Sequence, residues 1–128
     1  MYRILLADDE GIMLESLKKI IETEYGNECE IHTAKTGRVV VEEAEKYPPD
    51  ICFMDIQMPV MDGYDAAARI RRMKDEEKAS IPIIAMTANA FAEDRLKALQ
   101  AGMNEHLSKP IDPDALYRLL VKYLTERN

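Results

Sequence analysis

The sequence predicts an α/β domain: a (βα)5 doubly wound, five-stranded parallel sheet with strand order 2-1-3-4-5. Three observations carry that expectation. Short apolar runs alternate with longer helical patterns five times along the 128 residues. Such alternation builds a parallel sheet with right-handed crossovers and helices on both faces. Four of the runs end in polar residues: Asp8-Asp9 after Ile4-Leu5-Leu6-Ala7, Asp55 after Ile51-Cys52-Phe53-Met54, Thr87 after Ile83-Ile84-Ala85-Met86, and Lys109 after His106-Leu107-Ser108. Finally, a 2-1-3-4-5 sheet binds ligands at the carboxyl ends of its strands, at the switch point between strands 1 and 3. Those two strands end in Asp8, Asp9 and Asp55.

The first strand is Arg3–Ala7. A helix follows over Ile12–Glu24, where Met13, Leu17, Ile20, Ile21 and Glu24 recur at helical spacing, and Gly26 supplies a stop. A short second strand falls at Glu30–Ala34. The second helix, Arg38–Lys46, contains Val39-Val40-Val41, a triplet in which strand propensity competes with the helical pattern. Pro48-Pro49 ends it. The third strand is Ile51–Met54, and Pro59 and Gly63 shape the loop Ile56–Gly63.

The third helix, Tyr64–Met73, places Ala67, Ile70 and Met73 on one side, and Lys74–Ser80 is a charged, exposed extension. The fourth strand follows Pro82. Asn89 is an N-cap for the helix Phe91–Ala101, with Glu93 and Asp94 near its positive end and Gly102 at its C-terminal cap. After the short fifth strand, Asp112 caps the last helix with Pro113 in its first position. Leu116, Leu119, Leu120, Tyr123 and Leu124 form its apolar stripe, which packs on the sheet.

The whole chain, 1–128, reads as one domain, long enough to bury about two-thirds of its unfolded surface. Seventeen basic against twenty-four acidic residues leave a net charge of −7. That lacks the basic footprint of a nucleic-acid surface and opposes anionic membranes. It favours divalent cations or basic partners. Two cysteines, Cys29 and Cys52, are too few for a disulfide framework, and Cys52 reads as a core residue. With no signal peptide and no apolar stretch of about 20 residues, the expectation is a cytoplasmic protein.

Clustered carboxylates repel one another and do not all stay ionised cheaply without a cation. Oxygen ligands select Mg²⁺, Mn²⁺ or Ca²⁺ over zinc, and a site with open positions suits Mg²⁺, which keeps waters and recruits phosphate oxygens. Thr87 and Lys109 would hold further phosphoryl oxygens. Positioning and charge neutralisation are most of what phosphoryl transfer requires. Asp55 is the nucleophile candidate, since a carboxylate can carry a phosphoryl group as an acyl phosphate.

Four segments, in this order and spacing, resemble the receiver domain of two-component response regulators. They are Ile4-Leu5-Leu6-Ala7-Asp8-Asp9-Glu10, Asp55-Ile56-Gln57-Met58-Pro59-Val60-Met61-Asp62-Gly63, Met86-Thr87-Ala88-Asn89-Ala90, and Ser108-Lys109-Pro110. The resemblance implies the flavodoxin-like, CheY-like fold and a phosphorelay function. Asp55 would be the phosphoacceptor, loaded by a phosphohistidine of a sensor histidine kinase or phosphotransfer domain, with small acyl phosphates as alternative donors. Asp9 would bind Mg²⁺ directly and Asp8 mainly through water, with Asp55 and the backbone carbonyl of Gln57 completing the set; Mn²⁺ could substitute. Thr87 and Lys109 would contact the phosphoryl oxygens, and Lys109-Pro110 would be a cis peptide.

The resemblance also implies a switch that couples Thr87 to the residue three before Lys109. That residue is usually Tyr or Phe; here it is His106. Gln57 and Asn89 fall where similar domains tune phosphoryl lifetime. Such a domain is a signalling switch that catalyses only its own phosphorylation and dephosphorylation. It acts on an output domain or downstream protein, as a monomer or weak dimer.

Three other classes fit these residues less well. A Mg²⁺-dependent aspartyl phosphatase would carry a second Asp where Gln57 stands. A flavodoxin-like cofactor binder would not place Asp8-Asp9-Glu10 against a bare phosphate. A degenerate receiver that docks without phosphorylation would not need the full set Asp8, Asp9, Asp55, Thr87 and Lys109. Of the remaining polar residues, Glu10 reads as a helix-start charge, Asp62 as a turn residue and His32 as a surface or edge histidine. Met13, Met58 and Ile111 could form a soft apolar docking patch at the site mouth.

Overall fold

The computed structural model describes residues 1–88 and 92–125. Five strands, β1 (Tyr2–Ala7), β2 (Cys29–Ala34), β3 (Ile51–Asp55), β4 (Ile83–Thr87) and β5 (Glu105–Ser108), pair in parallel. Their order is β2-β1-β3-β4-β5, the order expected of a five-stranded doubly wound sheet. The helices are α1 (Gly11–Tyr25), α2 (Gly37–Lys46), α3 (Gly63–Arg71), α4 (Ala92–Gln100) and α5 (Pro113–Leu120). The last continues into a π-helical turn, Val121–Thr125.

Local signals explain most boundaries. Gly26 ends α1 at φ 53°, and Gly102 follows α4 at φ 97°. The Thr36 hydroxyl accepts from Val39 N at 3.2 Å and the Asp62 carboxylate from Asp65 N at 2.9 Å. Each satisfies an amide that the first helical turn leaves without a partner. Asp112 caps α5 in the same way, accepting from Asp114 N at 3.2 Å, with Pro113 behind it. The Thr36 cap, together with Val40 and Ala44 buried one turn apart, settles the valine triplet as helix. Asn89, Phe91 and residues 126–128 lie outside the described residues.

Three details differ from the sequence reading. The buried stripe of α1 is Leu14, Leu17 and Ile21, with Met13 and Ile20 only partly covered and Glu24 in solvent. Several apolar residues fit more than one helical phase, and packing on the sheet selects one. The third helix starts at Gly63 and stops at Arg71, before Met73. The exposed extension after it contains a single helical turn, Glu76–Ala79, because Asp75 accepts from Glu77 N at 2.9 Å.

Alternation along each strand divides the core into two layers. Ile4, Leu6, Ile51, Phe53, Ile84 and Met86 face α1 and α5. Leu5, Ala7, Cys52, Met54, Ile83 and Ala85 face α2, α3 and α4. Burial pushes the Cys52 thiol up to about 12, with Arg71 opposing, as befits a core cysteine.

Candidate functional site

β1 and β3 lie side by side and end with the same local device. At the end of β1, Asp8 Oδ1 accepts from Glu10 N at 2.9 Å. At the end of β3, Asp55 Oδ1 accepts from Gln57 N at 3.1 Å. An Asp that bonds the amide two residues on turns the chain out of the sheet and fixes its own carboxylate. Each aspartate thereby presents its second oxygen to Lys109. The ammonium lies 3.0 Å from Asp8 Oδ2 and 3.4 Å from Asp55 Oδ2.

Lys109 is held by backbone as well. Its N–H donates to Thr87 O at 2.8 Å, which ties the end of β5 to the end of β4. The bond to Pro110 is cis, as the resemblance implied. Thr87 itself is buried at the end of β4, the neighbour of β3. Four strand ends therefore bring Asp8, Asp55, Thr87 and Lys109 to one pole.

Asp8 and Asp55 are buried, while Asp9 and Glu10 are exposed. Carboxylate oxygens of Asp8, Asp9 and Glu10 all lie within 4.8 Å of one another. Burial raises the Asp55 pKa; the Gln57 amide bond opposes this, the Asp8 charge adds to it, and Lys109 offsets part. Burial alone would lower the Lys109 pKa. The hydrogen bond to Asp8 and the charges of Asp55 and Asp8 outweigh it and hold the ammonium above its ordinary value. One ammonium thus faces two buried carboxylates, with two more acids at the mouth.

The loop after Asp55 folds onto the site because two glycines leave room. A Cβ on Gly63 would stand 2.8 Å from both Asp55 O and Ile56 Cα. A Cβ on Gly37 would collide with the Met61 carbonyl. Asp62 caps α3, so its structural reading holds. Glu10 is the N-cap of α1 through its backbone, with no side-chain cap bond.

The expected docking patch of Met13, Met58 and Ile111 is not formed. Met58 is 6 % exposed and belongs to the core layer beneath α2 and α3, because the loop turns its side chain inward. Met13 and Ile111 are partly buried. Among the described residues, the large apolar side chains that stand in solvent at this pole are Ile12 and Val60. His106 is partly buried on β5, in register with Ala85. Burial and then Arg95 lower its pKa, with Glu105 opposing, so the neutral imidazole is favoured. His32 lies on edge strand β2, stacked on Tyr47 and 3.5 Å from Glu30. Gln57 is exposed, and Asn89 lies outside the described residues. Sequence reasoning did not anticipate the double bridge of Lys109; an Asp at the end of each of two adjacent strands, with a lysine ending the fifth, was the available signal.

The family model for the response regulator receiver domain matches residues 4–121. This chain is a response regulator receiver domain. The receiver is 35 % identical over 126 residues to transcription factor SKN7 of Saccharomyces cerevisiae, covering 98 % of this chain and 19 % of that protein. The chain thus spans about a fifth of that relative's length. Among solved structures it superposes on the receiver domain of sensor histidine kinase PA1611 from Pseudomonas aeruginosa PAO1 with TM-score 0.85 and 33 % identity, covering 97 % of this chain and 98 % of that one. That crystal holds a magnesium ion in its active-site cleft. A co-crystal of the Saccharomyces cerevisiae histidine phosphotransfer protein Ypd1 with the receiver domain of Ssk1 matches with TM-score 0.83 and 27 % identity, over 95 % of this chain and 88 % of that one. No helix among the described residues of the receiver is long and apolar enough to cross a membrane.

Proposed function

We propose that this receiver, taken as one domain over 1–128, accepts a phosphoryl group on Asp55 from a phosphohistidine and signals the change to a partner. The observation that carries this is the single ammonium of Lys109 set against the free oxygens of two adjacent strand-end aspartates, Asp8 and Asp55. A carboxylate oxygen of Asp55 attacks phosphorus. The N–P bond breaks, its electron pair returns to the imidazole nitrogen, and an acyl phosphate forms on Asp55. Lys109 and the Thr87 hydroxyl hold the peripheral phosphoryl oxygens, and Lys109 moves from charge partner of Asp55 to partner of the phosphoryl group.

The residues fit a hard divalent cation. The donor set is all oxygen, and two buried carboxylates share one ammonium. Asp9 would hold Mg²⁺ directly, Asp8 through water, with Asp55 and the Gln57 carbonyl beside them, and Mn²⁺ would serve as a substitute. When bound, the ion neutralises the acids and the oxygens of the incoming phosphoryl group.

The finer reading follows from the same site. The receiver catalyses its own phosphorylation and dephosphorylation and no other reaction. Thr87 and His106 form its switch, and Gln57 and Asn89 tune the lifetime of the acyl phosphate. Its donor is a histidine kinase or phosphotransfer domain, its target an output domain or downstream protein, and its compartment the cytoplasm. The free thiols of Cys29 and Cys52 support that compartment.

Intact mass after incubation with acetyl phosphate tests the reading. The expected result is one phosphoryl adduct in the wild type with Mg²⁺, little without it, and none in Asp55→Asn. An adduct of equal yield in Asp55→Asn would refute the assignment. Millimolar Mg²⁺ should also raise the melting temperature of the wild type and do so less in Asp9→Ala, by binding linkage.

A further inference from the structure

The hydroxyl of Tyr64 is buried and, among the described residues, has no hydrogen-bond partner. Buried polar groups are almost always paired, and an unpaired one weakens the state that leaves it so. The ring itself is seated: it packs against the core layer beneath α2, α3 and α4. Tyr64 stands in the first turn of α3, directly after Gly63, which lies hard against the Asp55 carbonyl.

Two carboxylates act on this hydroxyl. Burial raises its pKa most, the charge of Asp94 adds to that, and Asp62 adds less. Asp62 is committed, because its Oδ1 accepts from Asp65 N at 2.9 Å. The Asp94 carboxylate makes no hydrogen bond or ion pair among the described residues. Asp94 lies on α4, the helix that follows β4 and its Thr87. A buried donor on α3 thus lies in the field of an unengaged acceptor on α4, without a bond between them. Joining the two takes a displacement of α4 relative to α3.

A phosphoryl group on Asp55 supplies the occasion. It draws the Thr87 hydroxyl to its oxygens, and α4 is the helix that follows that strand end. We propose that Tyr64 and Asp94 form a latch, open in the resting receiver, that closes when Asp55 is phosphorylated, with the Tyr64 hydroxyl donating to the Asp94 carboxylate. The latch rests on the reading of Asp55 as phosphoacceptor. Tyr64 is a positioning residue: it holds the helix after Thr87 to the helix after Asp55. A bond made in one state and missing in the other shifts the balance toward the state that makes it.

Beryllofluoride with Mg²⁺ is the probe, a stable stand-in for the phosphoryl group on Asp55. The receiver is isotope-labelled at tyrosine Cζ for NMR, and Tyr64→Phe, which keeps the ring, identifies the Tyr64 signal. Beryllofluoride should move that signal downfield, as donation to a carboxylate does, and Asp94→Ala should abolish the movement. Beryllofluoride affinity should fall about tenfold in Tyr64→Phe and in Asp94→Ala, the scale of one hydrogen bond to a charged group, and no further in the double variant. Without beryllofluoride, Tyr64→Phe should melt no lower than the wild type, because the hydroxyl it removes has no partner there. A clear drop in that resting melting temperature overturns the proposal, since the hydroxyl would already be bonded. So does a beryllofluoride response that Asp94→Ala leaves unchanged. If the wild type binds no beryllofluoride and takes nothing from acetyl phosphate, the acceptor reading itself has failed and the latch falls with it.

Discussion

On one side of the sheet, α1 and α5 bury Leu14, Leu17, Ile21, Leu116, Leu119 and Leu120 against Ile4, Leu6, Phe53 and Ile84. On the other side, α2, α3 and α4 present Ala44, Ala66, Ala67 and Ala98 to Ala7, Ala34 and Ala85. The first layer is stabilised by what its side chains fill. The second is shaped by what its side chains leave out. Small residues bring helices and loops close, and the loop after Asp55 uses that space: Met61 rests on Gly37, Met58 turns into the core, and Gly63 sits against the Asp55 carbonyl. The site thus leans on the small-residue layer, with the long aliphatic layer behind it.

The sharpest test of that division is Phe53→Ala, which empties a fully buried position in the aliphatic layer. It should lower unfolding free energy by about 3–5 kcal/mol in urea titration. At a temperature where it stays folded, acetyl phosphate should still load Asp55 within a few-fold of wild type. A loss of loading as large as the loss of stability would erase the distinction between the layers.

Gly63→Ala probes the other layer. The new Cβ meets backbone atoms of Asp55 and Ile56, which do not move aside as a flexible side chain would. Destabilisation should be smaller, about 1–3 kcal/mol, as for overpacking elsewhere. Loading should nevertheless fall by at least tenfold, because the carboxylate is displaced from Lys109. Normal loading with reduced stability would separate the site from the packing that this comparison assigns to it.

The smallest effect is electrostatic. The Asp55 pKa lies above its ordinary value of 3.8 because burial disfavours the charge. As pH rises past 3.8, the unfolded chain loses this proton before the folded chain does, so the wild type loses stability until the raised pKa is passed. Asp55→Asn carries no such proton. Without added metal it should be more stable than wild type at pH 7, and the gain should vanish below pH 3.8. Melting curves across that range check it; a gain independent of pH would assign the effect to something other than the buried charge.

Much of this was legible in the chain. The parallel sheet followed from the alternation, and its order is the common one for five doubly wound strands. Asp112 was legible as the cap of α5, whereas Asp62 read only as a turn residue and Thr36 was not singled out, though both cap helices whose starts the pattern placed within one residue. The strand-end residues Asp8, Asp55, Thr87 and Lys109 could be placed at one pole because strand direction alone puts them there. What escaped was rotational and steric. Periodicity allowed Met13 or Leu14 to face the sheet, and only the sheet chose. Nothing in the residue pattern said that Met58 would turn inward. Arg71 carried no signal in the sequence, yet it donates to Gly102 O, Ala79 O and Asn104 Oδ1, tying α3 to the turns beside β4 and β5. The left-handed backbone of Val60, at φ 67°, ran against its own propensity.

The central claim is that the phosphoryl group goes to Asp55 and not to the other acids of the cluster. Borohydride reduction of the acetyl phosphate-treated receiver, followed by peptide mass spectrometry, reads this directly, because an acyl phosphate is reduced to an alcohol at the residue that carried it. The account predicts reduction at Asp55 alone. Reduction at Asp8, Asp9 or Glu10, with Asp55 intact, would contradict it.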